Sequence, residues 1–143
     1  MQVKEVMSRR IIAVSPEESV AVAARLLSQH NIGALPVCSR DGRLRGMVTD
    51  RDIVVRCVAA GDDPEHTRVA EIMTRRILAA EPEKSIGEAA KLMAREQVRR
   101  LPVQERGRLV GMVSLGDVAV RPALTPLEAG EALQEISQNI RRV

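Results

Sequence analysis

Apolar positions along the chain fall into short runs and helical stripes, and the same series occurs twice. Ile11-Ile12-Ala13-Val14 and Ile77-Leu78-Ala79-Ala80 are short apolar runs, each followed by a proline, Pro16 or Pro82. Proline cannot donate to a ladder, so each run predicts a short buried strand that stops there. Val20, Ala23, Ala24 and Leu27 then recur at helical spacing, as do Ile86, Ala89, Ala90 and Met93, and predict two core-facing helices. Ser19 and Ser85 supply hydroxyl caps. Only Ser85 is followed by a capping-box acid, Glu88, so the second helix is expected to start more firmly. Ala34-Leu35-Pro36-Val37 and Leu101-Pro102-Val103-Gln104 predict strands whose proline suits an edge or irregular position. Turns around Gly42 and Gly107 return the chain into Leu44-Arg45-Gly46-Met47-Val48 and Leu109-Val110-Gly111-Met112-Val113, giving two hairpins.

This is an internal repeat. The copies are 66 residues apart at Val3/Val69 and Pro36/Pro102, and 65 apart at Gly46/Gly111 and Asp52/Asp117. One residue has been lost near Asp41. The expected fold is mixed α/β of the α+β kind: two β-α-β-β-α motifs packed with pseudo-two-fold symmetry, plus a C-terminal helix. The expected boundaries are 1–62, 63–122 and 123–143. Thr125-Pro126-Leu127-Glu128 reads as the start of that tail helix, and its stripe Ala129, Ala132, Leu133, Ile136 and Ile140 must cover either the body or a second copy.

Composition narrows the function. At 143 residues and 45% hydrophobic, the chain can bury a sizeable core. It has no apolar stretch near the roughly 20 residues of a membrane helix and no signal-like leader, so a cytoplasmic protein without membrane attachment is expected. Cys38 and Cys57 occur only in the first copy and, with His30 and His66, lack paired ligand spacing, so no metal site is expected. Arg and Lys exceed Asp and Glu by 22 − 19 = +3, with the pairs Arg9-Arg10, Arg75-Arg76, Arg99-Arg100 and Arg141-Arg142. Such pairs suit an anionic partner. The absence of Phe, Tyr and Trp removes the stacking platforms of single-strand readers and disfavours nucleic acid without excluding it.

The most specific motif is Gly46-Met47-Val48-Thr49-Asp50-Arg51-Asp52, repeated as Gly111-Met112-Val113-Ser114-Leu115-Gly116-Asp117. A hydroxyl closes each strand and a carboxylate follows three places later, at the start of a helix. An acid there can accept from vicinal hydroxyls, and the hydroxyl residue can meet phosphate or ribose. The same spacing is also that of a simple N-cap. Catalysis is not expected, because neither copy carries a Ser-His-Asp or Cys-His set, a phosphate-cradling glycine loop with Lys, or a metal cluster.

The duplicated LPV strand with the G-apolar-apolar-[Thr/Ser]-x-x-Asp motif resembles the CBS domain, named for cystathionine β-synthase. The tandem over about residues 3–120 resembles a Bateman module, most closely the small stand-alone bacterial CBS pairs. That resemblance implies a regulatory sensor, with no required cofactor, that binds AMP, ADP, ATP or S-adenosylmethionine in clefts between the repeats. It implies that Asp52 and Asp117 take ribose hydroxyls, and that Thr49 and Ser114 approach ribose or phosphate. The adenine would lie among Ile12, Ala13, Ala34 and Pro36 in one copy, and Leu78, Ala79, Arg100 and Pro102 in the other. Arg99-Arg100 stands where the first copy has Gly33-Ala34, so the two sites are expected to differ, with phosphate favoured beside the arginines. A homodimer and a regulated protein target are the expected partners. The alternative is a nucleic-acid- or protein-interaction module acting through the Arg pairs and the tail stripe.

Overall fold

The computed structural model describes residues 1–119, and the expected tail helix lies outside the described residues. In the first repeat, helix α1 (Val20–His30), strands β1 (Ala34–Cys38) and β2 (Leu44–Thr49), and short helix α2 (Asp50–Ile53) follow in order. A π-helical turn, Val54–Val58, continues α2. Short helix α3 (Val69–Ile72) then precedes α4 (Ile86–Glu96), β3 (Arg100–Glu105), β4 (Arg108–Ser114) and α5 (Leu115–Ala119). The fold is α+β, with two two-stranded sheets, β1-β2 and β3-β4. Gly42 and Gly107 close the two hairpins at φ +85° and +80°, a backbone region that glycine enters without steric cost.

The long helices start alike. Ser19 Oγ accepts the Val22 amide at 3.2 Å and Ser85 Oγ accepts the Glu88 amide at 3.1 Å. Glu88 returns no bond to the Ser85 amide, so the expected capping box in the second copy is a single hydroxyl cap like the first.

The first strand of each repeat is much shorter than its apolar run. Only Val14 and Ala80 form a bridge, parallel to Val37 and Val103 respectively. The LPV proline explains the truncation. The Val14 amide donates to the Pro36 carbonyl at 3.1 Å, and the Cys38 amide donates to the Val14 carbonyl at 2.9 Å. The next step of a parallel ladder would need an N–H at position 36, which proline lacks. Ala80, Pro102 and Gln104 repeat this, with both bonds at 2.9 Å. The proline strand is therefore flanked on both sides. It limits its neighbour's length instead of marking an edge.

Two compact units result, and they do not follow the order of the repeats. One comprises, of the described residues, 1–11, 78–106 and 110–119; the other comprises 12–77 with 107–109. Each repeat's opening segment is built into the unit of the other repeat. In the first unit, the amides of Val3 and Lys4 donate to the carbonyls of Lys84 (2.8 Å) and Pro82 (2.9 Å), and Ser8 bridges Met112 on β4. In the second, the amides of Val69 and Ala70 donate to Glu18 (2.8 Å) and Pro16 (2.9 Å), and Thr74 bridges Met47 on β2. The apolar residues match. Val3 and Val6 join the core of Ile86, Met93, Leu101 and Val113, while Val69, Ile72 and Met73 join that of Val20, Leu35, Val37 and Val48. Val3 and Val69 are both fully buried, which is worth about 1.5–3 kcal/mol for a side chain of this kind.

Candidate functional site

The hydroxyl–acid motifs sit where a strand ends and a short helix begins. Thr49 is the last residue of β2, opposite Ala34 on β1. Its Oγ1 accepts the Asp52 amide at 3.0 Å, and Asp52 Oδ2 accepts the Thr49 amide at 3.0 Å. The second unit thus carries a reciprocal capping box. The first unit carries the same box: Ser114 Oγ accepts the Asp117 amide at 3.1 Å, and Asp117 Oδ2 accepts the Ser114 amide at 3.0 Å. The N-cap arrangement read from the spacing is therefore present in both copies. It also fixes each carboxylate in position.

Asp52 is buried, at 8% exposure. With Oδ2 committed to the Thr49 amide, Oδ1 faces the Thr74 hydroxyl at 3.4 Å and the Arg56 guanidinium at 3.9 Å. Both contacts are long for charged groups. The oxygen keeps capacity to accept a further hydroxyl. Sequence reasoning did not include Thr74. A signal for Thr74 existed, because the Met-Thr of the second opening segment repeats the Met-Ser at Met7-Ser8.

The remaining expected residues divide by unit. Ile12, Ala13, Ala34 and Pro36 fall in the unit of Thr49 and Asp52, whereas Leu78, Ala79, Arg99, Arg100 and Pro102 fall in that of Ser114 and Asp117. Pro36 and Pro102 are buried, Ile12, Ala34, Leu78 and Ala79 half-buried, and Ala13, Arg99 and Arg100 exposed. The Gly33 carbonyl accepts the Asp50 amide at 3.0 Å, and the Arg99 carbonyl accepts the Leu115 amide at 2.8 Å. These bonds tie each LPV strand to the junction that carries the acid.

The thiols and imidazoles are dispersed. Buried Cys57 donates to the Asp62 carbonyl at 3.6 Å, and His66 Nδ1 pairs with Asp63 Oδ2 at 2.7 Å. Partial burial pushes the Cys38 thiol above its ordinary range. Among the described residues, no group of three or more His, Cys, Asp or Glu side chains is placed to hold a metal ion. No helix among them is long and apolar enough to cross a membrane.

Comparison with known proteins agrees with the duplication. A CBS-domain family model matches residues 3–58 and again 69–123. The chain belongs to the CBS-domain family and carries two CBS domains in tandem. It is 45% identical over 139 residues to the CBS domain-containing protein YhcV of Bacillus subtilis, covering 96% of this chain and 97% of that protein. It is 40% identical over 116 residues to Hypoxic response protein 1 of Mycobacterium tuberculosis, covering 81% of each. The crystal structure of Hypoxic Response Protein I, which has two coordinated zinc ions, superposes with a TM-score of 0.77 at 39% identity, covering 83% of this chain and 97% of that one. The CBS pair of MJ0100, in complex with methylthioadenosine and S-adenosylmethionine, superposes at 0.72 with 29% identity, covering 83% and 93%. The chain is thus a small CBS pair whose relatives are stand-alone CBS-domain proteins.

Proposed function

We propose that this protein is a cytoplasmic, non-catalytic sensor that binds an adenosine-containing ligand, AMP, ADP, ATP or S-adenosylmethionine, and acts by regulating a protein target. The observation that carries the reading is Asp52. Its carboxylate is fixed by a capping box at a strand–helix junction, and one oxygen is left with only long contacts to Thr74 and Arg56. A vicinal diol fits that oxygen. Asp117 takes the corresponding part in the other copy, and Thr49 and Ser114 approach ribose or phosphate. Ile12, Ala13, Ala34, Pro36, Leu78, Ala79, Arg100 and Pro102 serve as adenine walls, with Arg99 and Arg100 favouring phosphate at the second site. The adenosine-type ligands of the MJ0100 pair support this choice of chemistry. A second reading, contact with another protein surface, is favoured by Val54, Val55 and Val58, which are 57%, 50% and 59% exposed. We take a second copy as the partner there.

The test is a thermal-shift panel of AMP, ADP, ATP, S-adenosylmethionine and NAD, on protein whose mass is first fixed by light scattering, where a homodimer is expected. A bound ligand at about a hundred times its dissociation constant adds about 2.7 kcal/mol. Asp52→Asn and Asp117→Asn keep an acceptor for the capping amide but lose the charge, and should each remove part of the shift. No shift with any adenosine compound would overturn the sensor reading.

A further inference from the structure

The second unit carries a groove that neither junction uses. It has a volume of about 420 Å³ and lies at the turn end of the β1–β2 hairpin, whereas Thr49 lies at the other end. Its size is that of a small-molecule pocket. The floor is apolar: Leu44 and Met73 are each 5% exposed, and Ile77, at 42%, offers an uncovered aliphatic edge.

Two guanidiniums face this floor. Arg45 donates through Nε to Ser39 Oγ at 3.2 Å, and Arg75 donates through Nη2 to the Ala70 carbonyl at 3.1 Å. Each commits one of five donors, and neither has a carboxylate within ion-pair distance among the described residues. The carboxylates nearby are Glu17, on the groove wall, and Asp41, which bonds the Ser39 hydroxyl and the Arg43 amide. At the hairpin tip beside the groove, Asp41 is paired with the Arg43 guanidinium at 3.7 Å, and its carbonyl accepts Arg108 Nη1 at 2.7 Å. The groove therefore combines an aliphatic floor with excess cationic donors.

We propose that this groove is a second binding site, for a small organic anion whose phosphate or carboxylate lies between Arg45 and Arg75 and whose apolar body covers Leu44, Met73 and Ile77. The site is separate from Asp52 and does not depend on the adenosine reading. The experiment is an amide-shift NMR titration of the full chain with 1-naphthyl phosphate, 1-naphthoate and neutral 1-naphthol. At least one anion should saturate with shifts at Ser39, Arg45 and Arg75, and the tighter of the two identifies the headgroup. Arg45→Ala and Arg75→Ala should each weaken that anion about tenfold, the loss of one charge-assisted hydrogen bond. Glu17→Gln should tighten it, and Asp52→Asn should leave it unchanged. The proposal falls if neither anion saturates at millimolar concentration, if naphthol binds as well as the anions, or if the shifts centre on Thr49–Asp52.

Discussion

The junctions at Asp52 and Asp117 share a backbone and differ in what stands around it. Both hold the acid by the same two bonds, at 3.0 and 3.0 Å in one and 3.1 and 3.0 Å in the other. At the first, the residue after the hydroxyl is exposed Asp50, whose carboxylate lies beside Gly33, 3.5 Å from where a Cβ there would be. At the second it is Leu115, 3% exposed, and the adjoining strand carries exposed Arg99 and Arg100. Duplication has kept the bonds that position the carboxylate and changed the charge around it. The bonds that position the carboxylate and the charges around it thus belong to different residues.

The strongest way to break this comparison is at the glycine that begins each motif. A Cβ on Gly46 would lie 2.2 Å from the Thr74 carbonyl oxygen, and that backbone is held by paired bonds to Met47 at 3.0 and 2.8 Å. A Cβ on Gly111 would meet the flexible Met7 sulfur at 2.8 Å and the Ser8 carbonyl at 2.9 Å. Gly46→Ala should cost at or beyond the upper end of the overpacking range of about 1–3 kcal/mol, and Gly111→Ala should cost less. Urea denaturation measures both. Equal losses would show that the two inserted segments are held equally closely.

A smaller effect should sharpen the charge difference. If Arg99 and Arg100 select phosphate, replacing both by Ala should weaken AMP at the Asp117 junction about tenfold or less, since both side chains are exposed and screened. Adenosine, which lacks the phosphate, should bind that junction as before, and the Asp52 junction should not change for either ligand. Calorimetry with the two ligands separates the cases. Parallel weakening of AMP and adenosine would make the arginines structural.

What could be read from the sequence followed from local physics. The hairpin glycines, the hydroxyl caps of α1 and α4, and the N-caps at Thr49 and Ser114 depend on residues within a few positions of each other. The apolar runs misled, because the length of a parallel strand depends on donors in its partner, and Pro36 and Pro102 withhold them. The insertion of each opening segment into the other unit was hidden for a related reason. Val3 and Val69 are apolar in either arrangement, and only the long-range bonds to Lys84 and Glu18 decide between them. Thr74 reaches Asp52 through that insertion, across 22 positions of sequence.

The smallest predicted effect also separates the units, because both histidines, His30 and His66, lie in 12–77. Its hydrogen bond to Asp63 and the Asp63 charge raise the pKa of His66 above its ordinary value. The His66 contact, and then the Glu65 amide, lower that of Asp63. For the histidine, the stabilisation is fully present below its ordinary pKa of about 6.5 and is lost as pH rises through the raised folded value. For the aspartate, it is present above its ordinary pKa of about 3.9 and is lost as pH falls through the lowered one. The pair should therefore hold the link before α3 best between about pH 3.9 and 6.5. Both groups are exposed, so the effect on Tm should be slight. His66→Gln should flatten the decline in Tm above about pH 6.5 without altering the amide shifts of residues 86–114. An unchanged decline in that variant would place the titrating group elsewhere.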